Sequence, residues 1–396
     1  MAKDGYLIFD SDTHVGPNMD VLSPYLSEAE KKALEPLDGY KRGNRYMIGE
    51  RKYDRVLGSA EAKKADPTAY MSGLFTGAKK DERKRPTPID GDQKLRLADM
   101  DFEGVDVNLM LPSGWFGVWT TPEVSVETEM AMFKAYHRWQ ADYCAGYEDR
   151  LTGVILCSGR DVENGVKEAE RAAKEKWPLG ILCYAPYGMP IDHPSLEPYY
   201  ALAQEYDLAV TLHTFTVMPP YAPGGLDTWE NLWLQRSAAH PWCGMRNMAA
   251  IIGSGALDRY PNLNLGLLEA GHGWLPSWVR RLDEHAHSVA GALPALQHAP
   301  SEYVTSGRYF QSIEMGEGQD VTESVMNILG DDILMYASDY PHGESWFPIS
   351  VDTVMAWTLS EERKRKLFWD NAVKFYRRYK ASDAVLAGAS TTAASR

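Results

Sequence analysis

Tyr6-Leu7-Ile8-Phe9 runs without a break into Asp10-Ser11-Asp12-Thr13-His14. A strand covered on both faces is apolar throughout rather than alternating. Four apolar residues followed by Asp10, Asp12 and His14 are therefore what a buried parallel strand presents where its carboxyl end opens. Three later segments repeat the arrangement. Leu208-Ala209-Val210-Thr211-Leu212 ends at His213, and Leu265-Gly266-Leu267-Leu268 ends at Glu269 with His272 just beyond. Ile333-Leu334-Met335-Tyr336-Ala337 leads into Ser338-Asp339-Tyr340-Pro341-His342. In a closed barrel of parallel strands the carboxyl ends converge on one face, and active sites are built there. Side chains from opposite ends of the chain are thereby expected to share one pocket.

Eight runs of strand character lie near residues 6–12, 105–112, 151–157, 180–185, 208–213, 263–269, 309–313 and 333–338. Helical patterns fill most of the gaps. Val124 to Tyr147 carries Met130, Phe133, Tyr136 and Trp139 at helical spacing, and Glu163 to Lys176 carries Val166, Ala169 and Ala172-Ala173. Pro198 to Glu205, Arg246 to Leu257 and Gly273 to His287 read the same way. Such alternation means a parallel sheet. Eight units, with no Gly-x-Gly-x-x-Gly after the first strand, favour a closed (β/α)8 TIM barrel over an open doubly wound sheet. The expected organisation is one α/β barrel domain over residues 1–380. Residues 18 to about 98 are too long for an ordinary connection after the first strand and read as a cap-like insertion over the mouth. Residues 381–396, small and polar, are expected to form a disordered tail.

The composition narrows the function. A formal charge of −14 argues against nucleic acid, whose phosphates need a cationic surface. It leaves anionic small substrates open, because the potential inside a pocket can oppose the net charge. The widely spaced Cys144, Cys157, Cys183 and Cys243 read as buried free thiols in a reducing compartment. The opening Met1-Ala2-Lys3-Asp4-Gly5 leads straight to a strand, so no signal peptide is expected. No apolar run of ~18 residues suggests a membrane span. A cytoplasmic enzyme acting on a small molecule is the expectation.

Asp12 and His14 stand two apart, so on a strand they point the same way and can share one ion. With His213 and Asp339 they make a set of two imidazoles and two carboxylates. That set suits one divalent ion, zinc first and manganese as carboxylate content rises, with a position left for water or substrate. Each residue alone has an ordinary structural reading; their common location at strand ends is what argues for a metal. Asp10 faces the same side one layer deeper and is expected to support the ligands, bonding a ligand imidazole.

These residues resemble the amidohydrolase-related, metal-dependent enzymes typified by aminocarboxymuconate-semialdehyde decarboxylase. The resemblance spans nearly the whole chain. It is carried by Asp10 to Pro17, His213, Tyr260-Pro261-Asn262-Leu263, Glu269-Ala270-Gly271-His272-Gly273-Trp274, Ser338 to His342 and Glu361 to Ala372. It implies a mononuclear barrel enzyme, since Leu179 to Ala185 lacks the lysine of related two-metal enzymes. Where the family's decarboxylases place a histidine after the sixth strand as acid/base, this chain has Glu269, with His272 three residues on. Either is a candidate, with Asp339 beside them as a catalytic residue. The implied activity is non-oxidative decarboxylation of an aromatic or unsaturated carboxylic acid, with the carboxylate on the metal. Metal-assisted hydrolysis of an amide, lactone or ring-fission product is the alternative, and a non-catalytic binding barrel a remote one. Trp115, Phe215 and Trp274, in a cluster with Phe116, Trp119 and Tyr187, are expected to hold a planar substrate. His240, Glu314 and His342 are further substrate contacts, and Arg246, Arg280 and Arg308 candidates for a second carboxylate. The resemblance also implies a homo-oligomer.

Overall fold

A computed structural model describes residues 3–34, 86–113, 124–186, 189–214, 233 and 235–387. Eight parallel strands follow one another around a single sheet: β1 (Phe9–Val15), β2 (Val107–Pro112), β3 (Leu151–Ser158), β4 (Pro178–Tyr184), β5 (Ala209–His213), β6 (Leu265–Leu268), β7 (Tyr309–Ser312) and β8 (Leu334–Met335). Every residue of these strands is buried, and most of the strands accordingly read as apolar runs, β1 being the exception with Asp10 to His14 inside it. Helices cover the outside after each of the first seven strands: α1 (Gln93–Glu103), α2 (Val126–Cys144), α3 (Val162–Ala173), α4 (Glu197–Glu205), α5 (His240–Gly253), α6 (Leu275–Ser288) and α7 (Gly318–Leu329). After β8 comes α8 (Ser350–Met355). The expected (β/α)8 barrel is the fold. Among the described residues no helix is long and apolar enough to cross a membrane.

Local sequence accounts for the helix limits. Asp92 caps α1 by accepting from Leu95 N at 2.9 Å, and Gly104 ends it in a left-handed conformation, φ 92°, that costs glycine little. Ser125 caps α2 through Thr128 N, and Asp161 caps α3 through Asn164 N. The buried face of α3, Gly165, Glu168, Ala169, Ala172 and Ala173, follows the helical period. At the amino-terminal end of the barrel Phe9 stacks on Tyr376 with centroids 5.5 Å apart and meets Tyr379 edge-on at 5.2 Å. Gly266 of β6 has no side chain because Phe375 lies where a Cβ would be.

β8 closes onto β1 by a mixture of backbone and side-chain bonds. Ser11 N donates to Tyr336 O at 3.0 Å, His14 N to Tyr340 O at 2.7 Å, and Asp339 N to Asp12 O at 3.1 Å. Asp10 adds a staple: Oδ1 accepts from Ser338 N at 3.0 Å and Oδ2 from Ser338 Oγ at 2.5 Å. The first strand runs three residues later than expected, so that Asp10 to His14 lie within it. Asp10 bonds Ser338 rather than a ligand imidazole.

The insertion expected at 18–98 is described at its two ends only. Met19–Leu22 and Glu28–Ala33 form short helices, and the second carries a Ser27/Glu30 capping box. Residues 35–85 lie outside the described residues. The tail expected at 381–396 is described at 381–387 only. Residues 383–387 are helical, Val385 is buried, and Ser382 Oγ donates to Asp149 Oδ2 at 2.5 Å. Residues 388–396 lie outside the described residues.

Glu103, at the end of α1, caps α8 from across the chain: Oε1 accepts from Ser350 N at 2.9 Å and also from Ser350 Oγ. Burial pushes this carboxyl up to about 7 although Ser350's donors pull the other way. The folded state therefore keeps a proton that the unfolded chain releases near 4.5, and stability falls as pH rises between those values. Glu103→Gln keeps the acceptor and removes the titration. Urea unfolding at pH 5 and pH 8 is expected to show a smaller alkaline loss in the variant, by about 1–3 kcal/mol.

Candidate metal centre

The strands bring Asp12, His14, His213 and Asp339 together at their carboxyl ends. Asp12 Oδ1 lies 3.3 Å from His14 Nε2 and 3.7 Å from His213 Nε2, and Asp339 Oδ1 lies 3.1 Å from His14 Nε2. The ligand atoms of Asp12, His14 and His213 fall within 4.8 Å of one another, as do those of His14, Asp339 and His342. His14 Nδ1 faces Pro112 O at 3.4 Å, which turns Nε2 toward the carboxylates. His342 stacks on His14 at 3.9 Å between centroids and places Nδ1 2.7 Å from Asp339 Oδ1. Asp339 and Glu269 both adopt left-handed backbone, φ 59° and φ 51°, a conformation unusual for these residues and concentrated at functional sites.

The electrostatics call for a cation. Burial opposes ionisation of His14, but the adjoining carboxylates of Asp12 and Asp339 overcome it and push the imidazole up to about 10. The proton so held stands where a metal's charge would be. Asp339 is driven far below the usual carboxylate range by His342 and His14 despite its burial, whereas burial pushes Asp12 up and the His213 imidazole down. Asp12 Oδ1, His14 Nε2 and Asp339 Oδ2 are buried and make no hydrogen bond. Buried polar atoms without partners are costly, and a shared ion would satisfy all three. Two imidazoles and two carboxylates fit zinc or manganese.

Glu269 sits beside this set. Its Oε2 lies 3.2 Å from His213 Nε2, and its Oε1 lies 2.8 Å from Arg236 Nη1 and 3.7 Å from His240 Nδ1. Burial and the charge of Asp339 push the Glu269 carboxyl well above the usual carboxylate range, against the pull of Arg236. Glu314, half-buried at the end of β7, is pushed the same way by burial, Asp339 and Asp12. His272 is elsewhere: Nε2 pairs with Thr322 Oγ1 at 2.9 Å, and Nδ1 accepts from Glu314 N at 3.1 Å and lies 2.9 Å from Glu317. The loop after β6 reverses at Glu269 and carries His272 under α7. Trp274 commits its indole N–H to Ala270 O at 2.7 Å and lies against Gly244 of α5. Trp115 and Phe215, with Phe116, Trp119 and Tyr187, lie outside the described residues. Arg308 bonds the carbonyls of Leu257, Tyr260 and Leu263 below the barrel, and Arg246 and Arg280 are exposed on α5 and α6.

Two residues near the set escape the strand-end reading, Arg236 and Glu344. Arg236 bridges Glu269 and Glu344, and Glu344 joins Glu269 and Asp339 in a third group of close ligand atoms. Arg236 follows only the short Leu232-Trp233-Leu234 and belongs to no run of strand length, so the strand-end reading passes over it. Glu344 lies two residues past His342, and its place in the eighth loop was the available clue.

Residues 81–378 match the sequence pattern of the amidohydrolase family. No curated protein matches the chain in sequence. Among solved structures, the chain is similar to an amidohydrolase from Mycobacterium avium subsp. paratuberculosis (20% identity over 94% of this chain and 99% of that one, TM-score 0.69). It is also similar to 5-carboxyvanillate decarboxylase from Novosphingobium aromaticivorans, complexed with manganese and 4-hydroxy-3-methoxy-5-nitrobenzoic acid (20% identity, 95% and 97%, TM-score 0.67). A third is 2,6-dihydroxybenzoate decarboxylase from Rhizobium (15% identity, 94% and 99%, TM-score 0.61). At these identities the likeness is one of fold. The family pattern covers more than half of the sequence, and the chain belongs to the amidohydrolase family.

Proposed function

We propose that this chain is a metal-dependent lyase that removes CO2, without oxidation, from a phenolic or otherwise unsaturated carboxylic acid. The observation that carries the reading is the cluster in which Asp12, His14 and His213 bring ligand atoms within 4.8 Å of one another and Asp339 Oδ1 stands 3.1 Å from His14 Nε2, with Glu269 Oε2 3.2 Å from His213 Nε2. Likeness to decarboxylases of 5-carboxyvanillate and 2,6-dihydroxybenzoate supports the choice of reaction. Zinc or manganese suits the four ligands, and the manganese of the 5-carboxyvanillate enzyme supports the latter. When bound, the ion would supply Lewis-acid stabilisation of the charge that develops on the substrate.

The chain's own residues provide the rest. His342 orients Asp339, and Arg236 fixes Oε1 of Glu269. As the bond between ring carbon and carboxyl breaks, CO2 leaves and the electron pair stays on the carbon. Glu269 delivers its proton there and regains one from water. His240, Glu314 and His342 are assigned to substrate contact, with hydroxyls and the ring as their partners. The four buried free thiols support a reducing, cytoplasmic setting, and exposed Trp233 and Trp242 support contact with a second copy.

Metal analysis of protein purified without chelators is expected to find about one divalent ion per chain. Incubation with a panel of hydroxybenzoates is expected to release CO2 from at least one of them. Uptake of water by amides or lactones, with no CO2 from any acid, would instead favour the hydrolase reading. Asp339→Asn is expected to abolish turnover with the fold retained by circular dichroism. Glu269→Gln should lower kcat by about 10²–10⁴-fold. His272→Asn should keep most turnover and lose thermal stability. Near-full turnover in Glu269→Gln would remove Glu269 from the acid/base role.

A further inference from the structure

Arg96 is a buried arginine, 3% exposed, that the chemistry above does not use. It projects from the first turn of α1 into the seam between β1, β2 and the residues after β8. Its Nη2 donates to the backbone carbonyl of His14, and Nη1 lies 3.2 Å from both Thr13 Oγ1 and Asn108 Oδ1. The guanidinium carbon stands 4.9 Å from the centroid of the Tyr340 ring. One planar cation therefore touches the peptide that carries His14 and the residue that follows Asp339.

Tyr340 is gripped from its other side as well. Its Oη donates to Asp99 Oδ2 at 2.5 Å, and Asp99 lies three residues beyond Arg96, on the same face of α1. Its backbone N donates to Ser338 Oγ at 3.1 Å, and its carbonyl accepts from His14 N at 2.7 Å. Ser338 is held in turn by Asp10. Asp339 thus sits between two anchored neighbours, as its left-handed backbone requires.

We propose that Arg96 is a positioning residue of the metal centre: through the His14 carbonyl and the Tyr340 ring it sets the two backbone segments from which His14 and Asp339 present their ligand atoms. The inference rests on the metal-centre reading above. It depends on the shape of the guanidinium, because a lysine carries the same charge but can neither serve three acceptors in one plane nor stack on the ring in that geometry.

The test is Mn²⁺ binding to chelator-stripped wild-type and Arg96→Lys protein, followed by the electron paramagnetic resonance signal of free Mn²⁺, with thermal unfolding of each metal-free form alongside. Wild type is expected to bind one Mn²⁺, and Arg96→Lys to bind it at least about tenfold more weakly, as loss of a partner that orients ligands does. A residue that served the fold alone would lower the metal-free unfolding temperature and leave the affinity of the folded protein unchanged; that result overturns the proposal. If Arg96→Lys does not fold, Tyr340→Leu reads the same clamp by removing the ring that the guanidinium faces while keeping the backbone bonds of residue 340. Weakened binding in that variant supports the proposal and unchanged binding overturns it. A wild-type protein that binds no Mn²⁺ overturns the metal-centre reading, and the inference with it.

Discussion

The seam between β1 and β8 is the constraint on which the site depends. β8 is two residues long and cannot offer a full ladder, yet a barrel left open there would expose two strand edges. The gap is bridged by backbone bonds at Ser11, Asp12 and His14 and by the Asp10 carboxylate, which takes both the N–H and the hydroxyl of Ser338. Burial pushes the Asp10 carboxyl well up while Ser338 pulls it down, so the staple is a buried polar group kept affordable by its hydrogen bonds. Closing the seam sets Asp339 next to Asp12 and His14. Without that closure the candidate ligands would remain at opposite ends of one chain.

The same neighbourhood separates its carboxyl groups into two kinds. Asp339, against His14 and His342, is held far below the usual range and stays ionised. Glu269, buried with the charge of Asp339 nearby, is pushed the other way. Two carboxyls driven apart by their surroundings can hold a cation and carry a proton respectively. Arg236 joins Glu269 to Glu344 and limits how far Glu269 can turn. The division of labour follows from position rather than from residue type.

The barrel was legible because most strands are buried on both faces and leave an apolar trace. The candidate ligands were legible because each lies at or a few residues beyond the end of such a run. Legibility failed where the chain turns. Glu269 and His272 are three residues apart and equally plausible on paper, but the left-handed turn at Glu269 sends His272 beneath α7, where Thr322, Glu314 and Glu317 occupy its ring nitrogens. Trp274 gives its indole N–H to a nearby carbonyl, and Arg308 spends its guanidinium on three carbonyls below the barrel, neither of which local sequence announces. Arg96 is invisible as a support for the site, since nothing in its helix says that its face will meet the end of β1.

The sequence by itself determined the fold class, the strand ends and the candidate ligand set, because burial and the chemistry of a possible ligand are both written in residue type and order. Only the tertiary structure decided which of those side chains stand within a few ångströms of one another, and which arginines and tyrosines pack against the segments that carry them. Those outcomes depend on distances of a few ångströms between segments far apart in the chain. Coulomb interactions, desolvation and hydrogen bonds act at that range, and no local pattern encodes it.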